Sequence, residues 1–163
     1  AGLFCQWLPL HQLDVDTLRS ITAAFLQAFP DGAALLASNS LDTPTVGLIG
    51  RAGGTRFAPG QSAPGLAGRF GLAGDFAVLG SFIADARALR RFAADAPLNT
   101  DDRPWVAYRA PRITYAPDSA PRDRLLALMG EVSVDPTALL ATPDAGLAPR
   151  LAAYAEARRG CRW

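Results

Sequence analysis

The sequence predicts an α/β fold, and its composition and periodicity both point to it. Half of the 163 residues are apolar and 19% are charged, which is typical of a folded core and excludes a disordered chain. Short apolar runs bounded by turn residues alternate with stretches of helical periodicity. At this length we expect about one domain.

The first fifty residues predict a small mixed sheet with a covering helix. The apolar run over 3–9, closed by Pro9, predicts a buried strand. Asp14 is a candidate N-cap, and apolar residues then recur at helical spacing until Pro30, which predicts a helix over 15–29. The apolar runs 33–38 and 45–50 flank a turn-rich segment and predict an antiparallel strand pair.

The remainder of the chain alternates loops with helical candidates. Gly and Pro are frequent over 51–80, which predicts a loop with one short helix. A helix is expected over 81–94 with Ser81 as its cap, followed by a polar cluster over 99–104 and an extended segment over 105–109. Two short helices over 122–129 and 147–159 must pack on the rest of the protein, because neither is long enough to be stable alone.

Charge and cysteine usage exclude several classes of function. The 16 basic groups are all Arg, balance 15 acids, and are spread along the chain, which argues against a nucleic-acid partner. Cys5, Cys161 and His11 do not have the spacing of metal ligands, so we expect no metal site. No signal peptide or membrane-spanning run is present, and we expect a soluble, cytoplasmic chain with reduced thiols.

Two familiar catalytic patterns are missing. Gly53 and Gly54 follow a strand-like run but lack the third glycine and the helix of a dinucleotide-binding loop. His11 has no nucleophile elbow to serve, and we interpret it as a histidine at a strand end.

Asp101 and Asp102 are better interpreted as structural than as a catalytic pair. Adjacent residues of an extended segment point to opposite faces, so the two carboxylates are poorly placed to share one proton. Asn99 can close a turn and Arg103 can pair with an aspartate before Pro104. We therefore expect a motif that fixes the loop.

Gln6 is the candidate binding residue, because it lies toward the end of the first strand beside Trp7. Ligands of open α/β sheets bind at the carboxyl ends of the strands, where an amide can bond to a substrate amine or carboxylate. A glutamine that bonds only to neighbouring backbone is the alternative, and the strand pattern alone leaves both open.

Three separated segments resemble the C-terminal half of the spermidine synthase (polyamine aminopropyltransferase) family. They are GLFCQWLPL over 2–10, FPDG over 29–32 and PLNTDDRPWVAYRAP over 97–111. The last is similar to the end of bacterial spermidine synthase-like proteins that are often fused to a membrane-spanning, transporter-like half. The resemblance implies the C-terminal portion of a Rossmann-like methyltransferase fold over 1–112, and leaves 113–163 as a helical extension.

The resemblance also implies functional residues. Gln6 occupies the position of a glutamine that contacts the substrate amine, and Phe29 that of a polyamine-contacting tyrosine, although Phe29 lacks the phenolic oxygen. The family's nucleoside-binding loop, ribose-binding acid and catalytic aspartate belong to its N-terminal half. We therefore expect no catalytic, cofactor-binding or metal residue in this chain and no activity by itself.

The expected partners follow from the same resemblance. They are the N-terminal half of the same domain, a polyamine substrate and, for the intact protein only, decarboxylated S-adenosylmethionine as co-substrate. A sheet cut from a larger one exposes an edge, so self-association into a homo-oligomer is also expected. The alternative function is a non-catalytic assembly module of a larger, membrane-anchored protein.

Overall fold

A computed structural model describes residues 2–38, 40–60, 73–116 and 120–160. Within these ranges the chain forms four strands, six α-helices and one 3₁₀ helix. The strands are β1 (Leu3–Pro9), β2 (Ala33–Leu36), β3 (Thr45–Arg51) and β4 (Phe82–Ala84). The α-helices are α1 (Val15–Ala28), α2 (Gly74–Gly80), α3 (Ala86–Phe92), α4 (Trp105–Thr114), α5 (Pro121–Glu131) and α6 (Leu147–Gly160), and the 3₁₀ helix spans Pro136–Leu139.

The four strands form one sheet in the order β1-β3-β2-β4, and all its neighbouring strands are antiparallel. The predicted antiparallel pair of 33–38 and 45–50 is confirmed as β2 and β3. The predicted mixed sheet is wrong. β1 and β2 do point in the same direction, but β3 returns between them and separates them, so no parallel pair forms.

A buried core lies on each face of the sheet, because successive residues of a strand point to opposite sides. Leu48 of β3 belongs to a core that we call the α1-side core, and Ile49 belongs to the α6-side core. Ile83 and Phe82 of β4 divide in the same way. The α1-side core is completed by Leu8, Leu18, Ile21, Phe25, Leu125 and Leu128, and the α6-side core by Leu79, Leu139, Leu140, Leu147 and Leu151.

Helix α1 confirms the prediction for 15–29. The Asp14 carboxylate accepts a hydrogen bond from the Thr17 backbone N–H at 2.8 Å, which is the N-cap expected from the sequence. Leu18, Ile21 and Phe25 form the apolar stripe that faces the sheet. The helix ends at Ala28, just before Phe29 and Pro30.

The single helix expected over 81–94 is wrong, because this segment is a strand followed by a shorter helix. Ser81 does not cap its start; the Ser81 hydroxyl instead donates to the Val78 carbonyl at the end of α2. Phe82 and Ile83 are apolar in succession, and the sheet can bury both at once, one on each face. Helix α3 begins only after Asp85, whose carboxylate accepts from the Ala88 N–H.

The extended segment expected over 105–109 is also wrong, since these residues begin helix α4. The Asn99 side-chain oxygen accepts from the Val106 N–H at 3.0 Å and satisfies one free donor at the start of that helix. Val106 and Ala110 pack against the α1-side core. Pro111 lies inside the helix. Proline favours an extended chain because it removes a helical hydrogen bond, but here tertiary packing determines the helix.

The last forty residues confirm both predicted short helices, α5 and α6, and show what they pack on. Leu125 and Leu128 of α5 complete the α1-side core, and Leu147 and Leu151 of α6 complete the α6-side core. The proposed division between 1–112 and 113–163 would pass through α4. Residues 120–160 therefore cover both faces of the sheet.

Part of the loop predicted over 51–80 lies outside the described residues, namely 61–72. The short helix expected in it is represented by α2. Among the residues that are described, no helix has the length and apolarity needed to cross a membrane.

Candidate functional site

Gln6 lies in the middle of β1, opposite Leu48 of β3, and is half-buried. Phe4 and Leu8 alternate with it along the strand and contact α1 and the α1-side core, so Gln6 is on the same face. Within the described ranges the Gln6 side chain forms no hydrogen bond. An amide that is partly removed from water and has no protein partner is suited to bind a polar group of a ligand.

Phe29 follows α1 and belongs to a cluster of three rings on this face. Its ring centroid lies 5.1 Å from that of Phe4 and 5.3 Å from that of Phe25. The ring packs directly over Gly50, where a Cβ would lie 2.3 Å from the Phe29 Cγ. Phe29 thus forms an apolar wall against the strand that pairs with β1, on the side that carries Gln6.

The start of α1 is held by a charged contact that sequence reasoning missed. Arg109 of α4 donates a hydrogen bond to the Asp14 carboxylate and lies 3.5 Å from Asp16. The same guanidinium is 5.1 Å from the centre of the Trp105 ring. The spacing of Trp105 and Arg109, four residues apart, would have indicated this pairing if the segment had been assigned to a helix.

The protonation of Asp14 reflects this contact. Partial burial by itself raises the pKa of the carboxyl, but the hydrogen bonds from Thr17 and Arg109 and the positive charge of Arg109 outweigh it. The pKa of Asp14 is therefore below its usual value, and the pKa of Arg109 is raised by the hydrogen bond to Asp14. This pair stays ionised at neutral pH and serves to fix α4 against α1.

The polar cluster 99–103 fixes a loop, as the structural interpretation predicted. Thr100 and Arg103 exchange backbone hydrogen bonds at 3.2 and 3.1 Å, and Asn99 binds the start of α4. Asp101 and Asp102 are exposed, and neither forms an ion pair with Arg103 or with any other described residue. The expected pairing of Arg103 with an aspartate is absent among the described residues. The turn is held by these backbone hydrogen bonds and by the Thr100 hydroxyl, which also accepts from the Arg103 N–H at 3.2 Å.

Cys5 and His11 are the two other side chains near β1 that the sequence offered as candidate ligands. Cys5 points to the opposite face of β1, toward the α6-side core, and burial raises the pKa of its thiol. His11 lies in the turn after β1. In the part of the chain that is described, no three His, Cys, Asp or Glu side chains form a group that could hold a metal ion. Gln6 offers an amide and Phe29 an apolar ring, and neither side chain is an acid, a base or a nucleophile.

No family model, curated protein or solved structure matches this chain.

Proposed function

We propose that the chain is the C-terminal part of a spermidine synthase-like domain with a Rossmann-like sheet. The intact domain transfers an aminopropyl group from decarboxylated S-adenosylmethionine to a polyamine. In this proposal Gln6 bonds to the acceptor amine and Phe29 forms an apolar wall beside its hydrocarbon chain. The chain alone does not catalyse the transfer.

The connection from β1 through α1 to β2 supports this proposal. Two strands of the same direction joined by a covering helix form the crossover unit from which Rossmann-like sheets are built. In this chain β3 fills the space between those two strands. An antiparallel strand in such a position is compatible with the end of a larger, mainly parallel sheet.

Two features of β1 together carry the proposal. One edge of the strand has no partner among the described residues, and the Gln6 side chain forms no hydrogen bond with them. In the described residues only β3 pairs with β1, which leaves its other edge free for a strand of the same domain. Leu3, Phe4 and Trp7 of this strand are exposed. A strand added there would lie beside Gln6 and could bring the nucleoside-binding groups close to the amide.

The chemistry explains why both parts are needed. Transfer requires the donor sulfonium in line with a neutral amine nitrogen, whose lone pair attacks the carbon next to sulfur while the thioether leaves. A base must accept the amine proton. Gln6 can orient the amine through its side-chain oxygen, but an amide cannot take up that proton. In this proposal the base and the nucleoside site belong to the N-terminal half of the domain.

The test uses the protein encoded together with its upstream segment. Calorimetry with decarboxylated S-adenosylmethionine should show saturable binding, and mass spectrometry with putrescine should show spermidine and methylthioadenosine. Residues 1–163 alone should give neither result. The variant Gln6→Ala should raise the KM for the amine about tenfold, the size expected from losing one hydrogen bond to a charged or strongly polar group.

Gln12→Ala is the matched control, because Gln12 is exposed in the turn after β1. This variant should leave the KM unchanged. An intact protein that binds no nucleoside of this type would overturn the proposal. Equal effects of the two substitutions would remove Gln6 from the binding site while leaving the family assignment standing.

A non-catalytic assembly module is the second candidate, and the exposed apolar side chains of β1 favour it. The two candidates differ in the upstream sequence. The enzyme requires, within about 100 codons, a Gly-rich strand-loop-helix motif and an acidic residue about 20 positions later. If the intact gene lacks both, the assembly module is the better explanation.

A further inference from the structure

An arginine-lined cleft lies at the end of the sheet where β3 and β4 finish. It lies between the loop that follows β3, the start of α3 and the segment 133–139, with a volume of about 900 Å³. Five arginines within the described ranges line it. We call it the arginine cleft, after Arg51, Arg56, Arg87, Arg90 and Arg91.

The acids in this cleft neutralise the arginines only in part, because three carboxylates accompany five guanidinium groups and leave a net charge of +2 among these residues. Asp31, Asp85 and Asp135 also line it. Both carboxylate oxygens of Asp85 are occupied, since they accept from the backbone N–H groups of Ala88 and Asp135 at 2.9 Å each. Asp135 in turn accepts from the N–H and hydroxyl of Thr137. The carboxylates therefore hold the backbone around the cleft.

None of the five arginines forms an ion pair with any residue that the structure describes. Arg90 donates to the Pro30 carbonyl at 2.6 Å, which fixes one of them at the rim. Arg87 and Arg91 lie one turn apart on α3, where like charges repel each other slightly. A bound anion would relieve this repulsion.

The loop on the opposite wall allows close approach to its backbone. Gly53 and Gly54 line the cleft with φ of +88° and +110°, and a Cβ at either position would meet nothing within 4 Å. The loop is fixed from behind, because the Thr55 hydroxyl accepts from the Arg51 N–H and Phe57 bonds to Leu139. A ligand can thus meet a firmly held backbone without a side chain in between.

We propose that the arginine cleft binds a small molecule with two or three linked phosphate groups. Planar guanidinium groups match phosphate oxygens in pairs, and five of them around one cavity favour several linked negative charges over a single one. The volume is in the range of small-molecule sites. Neither Gln6 nor Phe29 lines the cleft, so this site is distinct from the one proposed for the polyamine.

The test is calorimetry of the 163-residue chain with tripolyphosphate at low and moderate salt. Saturable binding with a stoichiometry near one is expected, weakening as salt is added. The double variant Arg87→Gln and Arg91→Gln should bind at least about tenfold more weakly, since each bond to a charged group contributes noticeably. Thermal unfolding of each variant without ligand verifies that it is folded.

Arg112→Gln is the matched control, because Arg112 is an exposed arginine of α4 that does not line the cleft. It should leave the affinity unchanged. Equal weakening by this variant would show general attraction to arginines and overturn the proposal. Absence of saturable binding, or tighter binding of a single-stranded oligonucleotide than of tripolyphosphate, would also overturn it. None of these results bears on aminopropyl transfer.

Discussion

At one edge of the sheet β1 exposes Leu3, Phe4 and Trp7 to 58%, 45% and 57%, whereas at the other edge Phe82 and Ile83 of β4 are only 2% exposed. β4 has three residues against seven in β1. Helix α6 reaches β4 with Arg158, which donates to the Gly80 and Phe82 carbonyls at 2.8 and 2.5 Å. The described residues provide no such cover for β1.

The difference shows which edge of the sheet is covered by the described chain and which edge leaves apolar side chains exposed. A long apolar edge strand readily pairs with another strand, because its outer N–H and C=O groups are unpaired. Proteins normally shorten, charge or cover such edges. β4 is shortened and covered, while β1 is neither. We therefore expect the β4 edge to contribute stability within the chain and the β1 edge to contribute association.

The largest expected effect is loss of stability at the β4 edge. Phe82→Ala should reduce the free energy of unfolding by about 3–5 kcal/mol, because it leaves a cavity in the α6-side core. Phe4→Ala should reduce it by only about 1 kcal/mol, since the ring is half exposed. Urea unfolding at low protein concentration measures both values.

If Phe82→Ala does not fold, the smaller change Phe82→Leu should still cost about 1 kcal/mol or more. Equal losses at Phe4 and Phe82 would mean that the two edges do not differ. A loss at Phe4 that grows with protein concentration would instead show that a second copy covers β1.

The second effect concerns the cover of β4 by Arg158. Arg158→Met keeps most of the apolar stem but leaves the Gly80 and Phe82 carbonyls without their donor, which should cost about 1–3 kcal/mol. Arg150→Met is the control, since exposed Arg150 lies over the Phe76 ring and donates no hydrogen bond to the β4 edge. Arg150→Met should reduce the free energy of unfolding by about 0.5 kcal/mol. If both cost the same, Arg158 does not seal this edge.

The local sequence pattern was sufficient to predict an element that buries a single face. For α1, the cap at Asp14 and the single apolar stripe agree, and the prediction for 15–29 is confirmed. The pattern failed at 82–84, where the apolar residues have helical spacing but are buried on both faces of a sheet whose other strands lie 30 or more positions upstream. A single-sequence pattern cannot show that distant strand.

The candidate sites divide in a similar way. Gln6 could be found from its place on a strand, because alternation along β1 fixes its face. The arginine cleft could not be found, since its residues come from a loop after β3 and from a helix that the sequence placed differently. Arg51 and Arg87 are 36 positions apart, and only the fold brings them to one cavity.

The third expected effect concerns pH. The stability contributed by Asp14 after β1 should depend on pH in the acid range, whereas that contributed by Arg158 at the β4 edge should not. The end of β1 leads into α1 through Asp14, whose lowered pKa stabilises the folded state above about pH 4. This contribution is lost as the pH falls through the folded-state pKa of Asp14. The donors of Arg158 meet neutral carbonyls, so the β4 side should not change over this range.

Asp14→Asn tests this, because asparagine keeps the cap to Thr17 but loses the charge that faces Arg109. The variant should be about 1 kcal/mol less stable than the parent protein at pH 7, and this difference should shrink as the pH falls through the folded-state pKa of Asp14. Asp16→Asn is the control, since Asp16 is 59% exposed and should change stability little at either pH. A loss for Asp14→Asn that is as large at pH 3 as at pH 7 would assign the effect to packing.

The last substitution should have the smallest effect on stability and the largest effect on self-association. Leu3→Lys places a charge on the open β1 edge and should change the free energy of unfolding by less than about 0.5 kcal/mol, since Leu3 is mostly exposed. It should nevertheless lower self-association measured by sedimentation velocity, because a lysine on an edge strand opposes pairing with another strand. Leu41→Lys, at an exposed loop leucine, should leave self-association as it is in the parent protein. A parent chain that stays monomeric at high concentration would leave the β1 edge to a partner other than a second copy, which in the proposed function is the N-terminal half of the same domain.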